Sequence, residues 1–299
     1  MNNNYLIILL NYNNWQDTIE CIQSLKKCDI KGSNVLVVEN NSFDDSIGKL
    51  KSETPDVRMI IAERNLGFAG GNNIGIKYAC ENNFDYAIVL NNDTIVESEN
   101  SFKVLIDEMD KNPGVSLSTG RIFHYPEKNR IWYDGGEINS LRCVGIHLNL
   151  HKKVDEVNLD GRNKFVTFIS GCFMCIRLKD ISKLGYLDEK LFIYFEDFEY
   201  CLRAIRNNLK LLYIPESVIY HKTRGEGRHS PRLIYYTIRN RKFIIDSYFG
   251  ISTKFYFMTV MIIKRFYWFF TNKKYYKILK YALNDYKKST FGKAPDYIK

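Results

Sequence analysis

Three oxygen-bearing side chains, Asn91, Asn92 and Asp93, directly follow an unbroken apolar run over residues 86–90. Such a run predicts a strand that is buried on both faces. In open α/β sheets, ligands bind outside the carboxyl ends of the strands. A carboxylate with amide oxygens beside it suits a hard divalent cation that keeps some waters and bridges phosphates. A plain polar turn would show the same residues, so the choice depends on the other polar groups of the chain.

Glu196 and Asp197 are the second group that could do chemistry. Apolar residues at positions 195, 198, 202 and 205 form a helical stripe, which predicts that both carboxylates lie in the first turn of a helix. Acidic residues are common in that turn because the helix dipole favours them. At the mouth of a cleft, however, such a pair can act as a general base, with one carboxylate accepting a proton and the other orienting it.

Further polar residues follow other predicted strands. Asn11 and Asn13 come after the apolar residues 5–10, and Glu39 comes after residues 35–38. A glycine-rich stretch at 65–75 contains Asn72 and Asn73, and we expect a helix to open near Asn72. Glycines before a helix let backbone N–H groups approach an anion, and the two amides can bond a base or a phosphate. Glycine clusters are also ordinary turns.

The elements that position these groups alternate between strand and helix, which predicts an α/β fold with a mainly parallel sheet. A third strand is predicted at 59–62, and a helix that Ser98 caps follows the strand at 86–90. Later strands are predicted at residues 131–133, 144–150, 165–176, 211–214 and 218–221, and Gly171 breaks the strand signal at 165–176. Neither a Gly-x-Gly-x-x-Gly motif after the first strand nor a Gly-Lys-Ser/Thr loop is present.

Charge is unevenly distributed along the 299 residues. Residues 254–299 hold eleven Lys/Arg and two Asp/Glu, which accounts for the whole net charge of +9. Apolar content of 45% and charged content of 26% are typical of a globular protein. Seven cysteines, an odd number, and the lack of a secretory signal at the start favour a reduced, cytoplasmic chain.

Two basic segments lie in the last third of the chain. Residues 222–242 carry seven Lys/Arg, and Gly225 and Gly227 would loosen this stretch as a lid over phosphates. The aromatic residues at 255–270 are interrupted by Lys264 and Arg265, so the stretch is too short to span a bilayer. Basic residues among aromatics suit an anionic membrane surface, although a helix packed on the core would look similar. No motif supports nucleic-acid binding.

Taken in order, several motifs resemble the family 2 inverting glycosyltransferases, which have the GT-A fold. They are LNYN at 10–13, VENNS at 38–42, NLGFAGGNNIG at 65–75, LNNDT at 90–94, Gly171, and GYLDEKLFIYFEDFEYCLR at 185–203. The match covers about residues 5–222, and the branch of rhamnosyl- and galactofuranosyl-transferases is the most similar. Arg239 and Asn240 also resemble that branch.

The resemblance implies a role for each matching position. Asp197 would be the catalytic base, supported by Glu196. The nucleotide-sugar would be bound by Asn11, Asn13, Glu39, Asn72, Asn73 and Asn92. Asp93, Asn91 and His221 would lie at an Mg²⁺ or Mn²⁺ ion, with Asn91 where the family has aspartate. Glu39 likewise stands where aspartate is commoner. Residues 1–222 would form the GT-A domain, and residues 223–299 a basic loop and a helical, membrane-interfacial extension.

The implied activity is inverting transfer of a sugar from a UDP- or dTDP-sugar to a glycan or lipid-linked glycan. It would take place in the cytoplasm, at the inner face of the membrane, during synthesis of a bacterial surface polysaccharide. The alternatives are an inactive homologue within an assembly complex and a sugar nucleotidyltransferase, although the glycine-rich loop of the latter is missing. A zinc site at Cys172, Cys175, His147 and His151 has suitable ligand types.

Overall fold

The computed structural model describes residues 4–223 and 230–298. The predicted basic lid at 222–242 falls partly on residues 224–229, which are outside the described residues, and its later part is helical. The strands are β1 (Tyr5–Asn11), β2 (Val35–Glu39), β3 (Arg58–Ile61), β4 (Tyr86–Asn91), β5 (Thr94–Ile95), β6 (Val115–His124), β7 (Ile131–Tyr133), β8 (Gly136–Asn139), β9 (Val144–His147), β10 (Lys164–Val166), β11 (Phe173–Arg177) and β12 (Lys210–His221).

The helices alternate with the strands in the first half of the chain and follow one another at its end. They are α1 (Trp15–Lys27), α2 (Ser46–Glu53), α3 (Gly67–Glu81), α4 (Asn100–Lys111), α5 (Ile181–Leu184), α6 (Glu196–Arg206), α7 (Pro231–Tyr248), α8 (Ile251–Thr271) and α9 (Lys273–Lys287). Helix α2 was not predicted from the sequence. Helix α4 begins two residues after the expected cap, Ser98.

One large mixed sheet forms the centre of the described chain, in the strand order β10-β12-β6-β11-β4-β1-β2-β3. The pairs β1–β2, β1–β4, β2–β3 and β6–β12 are parallel, while β11 runs antiparallel between β4 and β6. The prediction of an α/β fold with a mainly parallel sheet is therefore confirmed. Strand β4 is buried as expected, and Tyr86 to Leu90 are each almost inaccessible to solvent.

The register of the parallel strands aligns their carboxyl ends. Asn11 lies opposite Glu39 on β2, and Leu10 lies opposite Asn91 on β4. Polar residues from three strands that are distant in sequence are thereby gathered at one edge of the sheet. This is the edge at which open α/β sheets bind ligands.

The glycine-rich stretch differs from its prediction. Helix α3 begins at Gly67, so most of the stretch is helix and not an anion-binding loop. A Cβ on Gly71 would lie 2.3 Å from a methyl of Leu10, and one on Gly75 would lie 2.5 Å from a methyl of Ile8. The close packing of α3 on β1 thus requires these glycines and overrides their low helix propensity.

One later strand prediction is confirmed and one changes. The break predicted at Gly171 within 165–176 is present, because β10 and β11 are separated by a turn that contains Gly171. The predicted pair at 211–214 and 218–221 is the single strand β12, with an irregularity in its pairing between Ile214 and Val218. Pro215 sits in this interruption, where a missing N–H donor is tolerated.

The last three helices pack against each other and against the sheet domain. Tyr235 of α7 donates to Asp285 of α9 at 2.7 Å, and the Ala294 amide donates to the Tyr236 hydroxyl at 2.7 Å. Helix α8 contributes Phe257 and Met261 to the core but leaves much apolar surface exposed. Among the described residues, no helix combines the length and the apolar character that crossing a bilayer requires.

Candidate active site

The loop after β4 and the end of β12 meet at the carboxyl edge of the sheet. Strand β5 pairs antiparallel with β12, which sets Thr94 opposite His221. His221 Nε2 lies 3.0 Å from Asp93 Oδ1, and the Lys222 amide donates to the Asp93 carbonyl oxygen at 2.8 Å. Asn91 is the last residue of β4, two positions earlier. The three residues predicted to lie at a metal are thus gathered at one place.

A divalent cation fits the Asp93–His221 pair only with help from a ligand. The two side chains supply one carboxylate and one imidazole, and the Asp93 side chain remains 29% exposed. Among the described residues, no group of three or more His, Cys, Asp or Glu side chains could hold a metal ion. Mg²⁺ and Mn²⁺ commonly take their remaining oxygens from substrate phosphates and water. The pair therefore suits a cation that arrives with a diphosphate.

The zinc alternative is not supported by the structure. Cys175 is buried within β11, and burial raises the pKa of its thiol to about 12. His147 Nδ1 lies 3.0 Å from the Trp132 carbonyl oxygen, and His151 Nδ1 lies 3.0 Å from His124 Nε2. Each histidine thus has one ring nitrogen in another contact, and among the described residues no group that includes these side chains is placed to hold a metal ion.

Asp197 lies in the first turn of α6, as predicted. Its Oδ2 accepts from the Gly171 amide at 2.9 Å, and its Oδ1 accepts from the Phe198 amide at 2.7 Å. The side chain is partly exposed. Desolvation raises the pKa of Asp197 above its ordinary value, and the bonds from the amides oppose that rise. Its carboxylate is fixed in direction and more basic than a carboxylate in water.

Glu196, its neighbour, is buried, with 5% of its surface exposed. Burial and then the charge of Asp197 raise the pKa of Glu196 well above its usual range. Its Oε2 has no hydrogen-bond partner among the described residues. Two neighbouring carboxyl groups whose pKa values are both raised are a frequent feature of active sites.

The turn before β11 connects the two acidic segments. Gly171 donates its amide to Asp197, while the carbonyl of the next residue, Cys172, accepts from the Asn91 amide at 2.9 Å. Burial raises the pKa of the Cys172 thiol well above its usual value, and Asp93 and Asp197 are among the charges that raise it further. Both acidic segments therefore face the same short turn.

Three aromatic residues just before α6 have unusual backbone conformations. Phe192, Tyr194 and Phe195 have φ values of 63°, 67° and 74°. The sequence pattern placed Phe195 on the helical stripe, but it is the left-handed residue that precedes the helix. Such conformations cost about 1–2 kcal/mol each for a residue with a side chain. Strain of this kind persists where the surroundings fix it, and it is common at functional sites.

Helix α7 fixes this strained segment. Asn240 Nδ2 lies 2.8 Å from the carbonyl oxygen of Leu191, 3.0 Å from that of Ile193 and 2.8 Å from that of Tyr194. Arg239 donates to Asn240 Oδ1 at 3.0 Å, and its other nitrogens reach carbonyls of residues 190, 191 and 292. Both side chains are fully buried. We refer to Arg239 and Asn240 as the carbonyl clamp.

A cavity of about 560 Å³ opens beside the strained segment. Its walls come from the ends of β1 and β2, the start of α3, the strained segment, α7 and the last residues of the chain. They include Leu10, Tyr12, Asn40, Asn65, Gly67, Phe68, Phe192, Ile193, Tyr194, Ser230, Arg232, Tyr236, Lys293 and Ala294. Aromatic rings and two cations, with no carboxylate among these residues, suit an anionic ligand that contains a ring.

Three residues predicted to bind the nucleotide form a network behind that wall. Glu39 is fully buried; its carboxylate accepts from the Ser42 hydroxyl and amide and from the Asn41 amide. Asn11 donates to Ser42 at 3.3 Å, and Asn13 Oδ1 accepts from the Phe43 amide at 2.9 Å. These bonds tie the end of β1 to the loop after β2, so a direct contact of Glu39 with a base remains a prediction.

The other three predicted donor-binding residues also bond to the protein. Asn73 donates to the Leu187 carbonyl and to Glu189, each at 2.9 Å, and accepts from the Leu187 amide. Asn92 donates to Thr18 at 2.8 Å, and Asn72 donates to the carbonyl one turn earlier in α3. Their roles in donor binding stay predictions.

Sequence reasoning missed most of the cavity wall. Tyr12, Asn40 and Asn65 lie beside residues that the motifs did identify, and this adjacency is a usable signal. Arg232 belongs to the basic segment 222–242 that was predicted to cover phosphates, whereas Lys293 could not have been assigned, because it reaches the site only through the packing of the chain terminus.

Known proteins are similar to this chain over most of its length. Residues 6–185 match the family described as Glycosyl transferase family 2. The low-salt glycan biosynthesis hexosyltransferase Agl10 of Haloferax volcanii is 29% identical over 260 residues, which cover 82% of this chain and 76% of Agl10. The dTDP-rhamnosyl transferase RfbF of Shigella flexneri is 26% identical over 254 residues, covering 80% of this chain and 79% of RfbF.

Solved structures share the fold at low sequence identity. GalNAc-T7 with UDP, GalNAc and Mn²⁺ superposes with a TM-score of 0.58 at 15% identity, covering 79% of this chain and 48% of that one, about half its length. The mannosyltransferase PcManGT from Pyrobaculum calidifontis, in complex with GDP-Man and Mn²⁺, gives a TM-score of 0.55 at 12% identity, covering 98% of this chain and 76% of PcManGT. The mixed sheet with flanking helices is the GT-A architecture.

Proposed function

The chain belongs to glycosyl transferase family 2, and on that premise we propose that it is an inverting enzyme that uses a nucleoside-diphosphate sugar. The acceptor is a hydroxyl group of a glycan or of a lipid-linked glycan. The transferred sugar is rhamnose or a galactofuranose-like sugar, as the name of the RfbF relative suggests for rhamnose. A role in surface polysaccharide synthesis, at the inner face of the cell membrane, completes the proposal.

The way in which the Asp197 carboxylate is held carries this proposal. Its carboxylate is held by two backbone amides, is partly exposed, and has a raised pKa. A hydroxyl group is a poor nucleophile until a positioned base takes its proton. In the proposed reaction, Asp197 accepts the proton of the acceptor hydroxyl. The hydroxyl oxygen forms the new bond to the anomeric carbon, and the bond from that carbon to the diphosphate oxygen breaks on the opposite face.

The donor would occupy the aromatic cavity and the adjoining strand ends. Arg232 and Lys293 are exposed cations at the cavity wall, where they would attract the diphosphate. Tyr12 and Phe68 offer ring faces to a base. Asp93 and His221 would hold Mg²⁺ or Mn²⁺, which would stabilise the charge on the departing nucleoside diphosphate. UDP- and dTDP-sugars are the proposed donors.

Asp197→Asn tests the proposal. This variant keeps the shape of the side chain but removes the base, so turnover is expected to fall by roughly 10²-fold or more while donor affinity stays unchanged. Asp155→Asn, at an exposed aspartate, is the matched control. Near-normal transfer by Asp197→Asn would remove that residue from its role.

The donor is identified by thermal shift with a panel of nucleotide-sugars, since a ligand that binds the native state raises its melting temperature. A native protein that binds a donor but neither hydrolyses nor transfers it, with Mg²⁺ or Mn²⁺ present, would instead be the inactive homologue.

A further inference from the structure

Helix α8 carries a continuous apolar stripe that faces away from the protein. The stripe consists of Ile251, Phe255, Met258, Ile262, Phe266 and Phe269. The spacing of three and four residues places all six on one side of the helix. Each side chain is between 52% and 83% exposed. We call this surface the α8 stripe, and it runs roughly 27 Å along the helix axis at 1.5 Å per residue.

The side of α8 opposite the stripe is the one that packs on the protein. Phe257 and Met261 are buried there, and the Thr253 hydroxyl donates to the Ser140 carbonyl at 3.1 Å. The helix thus already has a face packed on the protein, and the stripe is a second apolar face. Ile263, Tyr267 and Phe270 are also exposed and widen it. Contiguous exposed apolar surface of this extent marks an interaction site.

The charges around the α8 stripe indicate which partner it fits. Arg265 lies beside the stripe, and α9 begins two residues after α8 ends. Four lysines of α9, at positions 273, 274, 277 and 280, are exposed. Helices α8 and α9 together contain eight Lys/Arg and one Asp. An apolar face flanked by basic side chains complements an anionic lipid surface, where rings enter the acyl boundary and lysines meet the headgroups.

A second copy of the chain fits less well. A two-fold interface brings the same patch of both subunits together. Helices α8 and α9 carry an excess of positive charge, so two copies would repel each other at such a contact. We propose that the α8 stripe docks on an anionic membrane surface, with α8 lying flat in the interface. The inference rests on the membrane location given in the proposed function and deepens it by naming the surface that docks, and its test needs neither donor nor acceptor.

Vesicle sedimentation with the full-length protein tests the docking. The wild type is expected to sediment with vesicles of phosphatidylcholine and phosphatidylglycerol, and to remain in solution with phosphatidylcholine alone. Ile262→Ser/Phe266→Ser should weaken binding by about tenfold or more, because two apolar contacts with the lipid are lost. Phe165→Ser is the matched control, since Phe165 is 60% exposed but lies on β10.

Charge is tested separately from the apolar contact. Lys273→Gln/Lys277→Gln should weaken binding by roughly fivefold for each lysine, and added salt should weaken the wild type in the same way. Sedimentation without vesicles reports self-association, and transfer to a soluble acceptor reports the enzyme itself. Loss of vesicle binding with full transfer activity would leave the proposed transfer reaction intact.

Three results would overturn the inference. The wild type could remain in solution with the anionic vesicles. The Ile262→Ser/Phe266→Ser protein could bind them as the wild type does. The wild type could also form a dimer, without binding vesicles, that the same substitutions dissociate, in which case a second copy is the occupant of the stripe.

Discussion

Replacing Asn240 with alanine tests how the catalytic segment is held. The two hydrogens of the Asn240 amide are shared among three carbonyls of the segment that precedes Asp197. A hydrogen bond contributes about 1 kcal/mol net, and a buried carbonyl left without a donor costs about 1–3 kcal/mol. The loss therefore amounts to roughly 3 kcal/mol or more. The three left-handed residues store roughly 3–6 kcal/mol of strain.

Because these two quantities are similar, the strained segment should relax in Asn240→Ala while the sheet stays folded. Relaxation displaces Asp197, and a displacement of about 1 Å can cost 10²-fold in rate. We expect turnover to fall at least about tenfold. The melting temperature should fall by less than the roughly 5 °C that a loss of 3 kcal/mol would cause, because release of the strain offsets part of that loss. Hydrogen exchange should rise in peptides covering residues 190–198 and stay unchanged in β1 and β4.

Asn82→Ala is the matched control for this variant. Asn82 also donates to a carbonyl, that of Tyr78 at 2.8 Å, but at the exposed end of α3. It should keep wild-type turnover and exchange. Wild-type turnover in folded Asn240→Ala protein would refute the reasoning, and so would increased exchange spread over the whole sheet. Asn240→Ser, which keeps one donor, should have turnover and hydrogen exchange between those of Asn240→Ala and those of the wild type.

Two further predictions concern the residues around Asp197. Glu196 binds its proton more tightly in the native state than in the unfolded chain, so the free energy of unfolding should fall as pH rises from its ordinary pKa of 4.5 through the raised one. Glu196→Gln should flatten that dependence and raise the melting temperature near neutral pH; an unchanged slope would contradict it. Gly171→Val should lose transfer activity, because a Cβ at this position would lie 3.1 Å from the Phe68 ring and 3.5 Å from Asp197 Cβ. Wild-type activity in this variant would show that the close packing of residue 171 against Phe68 and Asp197 is not needed.

Local patterns in the sequence were sufficient for the elements that bear the acidic residues. The apolar run of β4 and the helical stripe of α6 each depend on contacts within one element, and both are where the patterns predict them. The pairing of Asp93 with His221 came from the family resemblance. Residue types alone do not show which strands pair across 128 positions.

Orientation of individual side chains was less predictable. Glu39 and Asn73 carry groups that suit a ligand, but main-chain donors and acceptors of neighbouring loops compete for the same groups. The glycines of α3 illustrate the same limit. Their low helix propensity suggests a loop, and only the close approach of β1 explains the helix.

The packing of the C-terminal residues bears on where the site ends. A boundary at residue 222 marks the end of the central sheet, but the segment before Asp197 is bonded to residues beyond that boundary. Arg239 donates to the Gly292 carbonyl at 2.8 Å, and the Gly292 amide donates to the Lys190 carbonyl at 3.0 Å. The strained backbone is thus tied both to α7 and to the end of the chain.

This packing decides how membrane docking can be studied. Truncation after residue 250 would remove the α8 stripe, but it would also remove Gly292 and Asp285, which support the catalytic segment and α7. A truncated protein that fails to bind vesicles could simply be misfolded, and one that is inactive would say nothing about lipid. Substitutions confined to the exposed side chains of α8 leave these bonds in place, because the stripe faces away from them. Only such variants distinguish a loss of membrane binding from a loss of the bonds that support the active site.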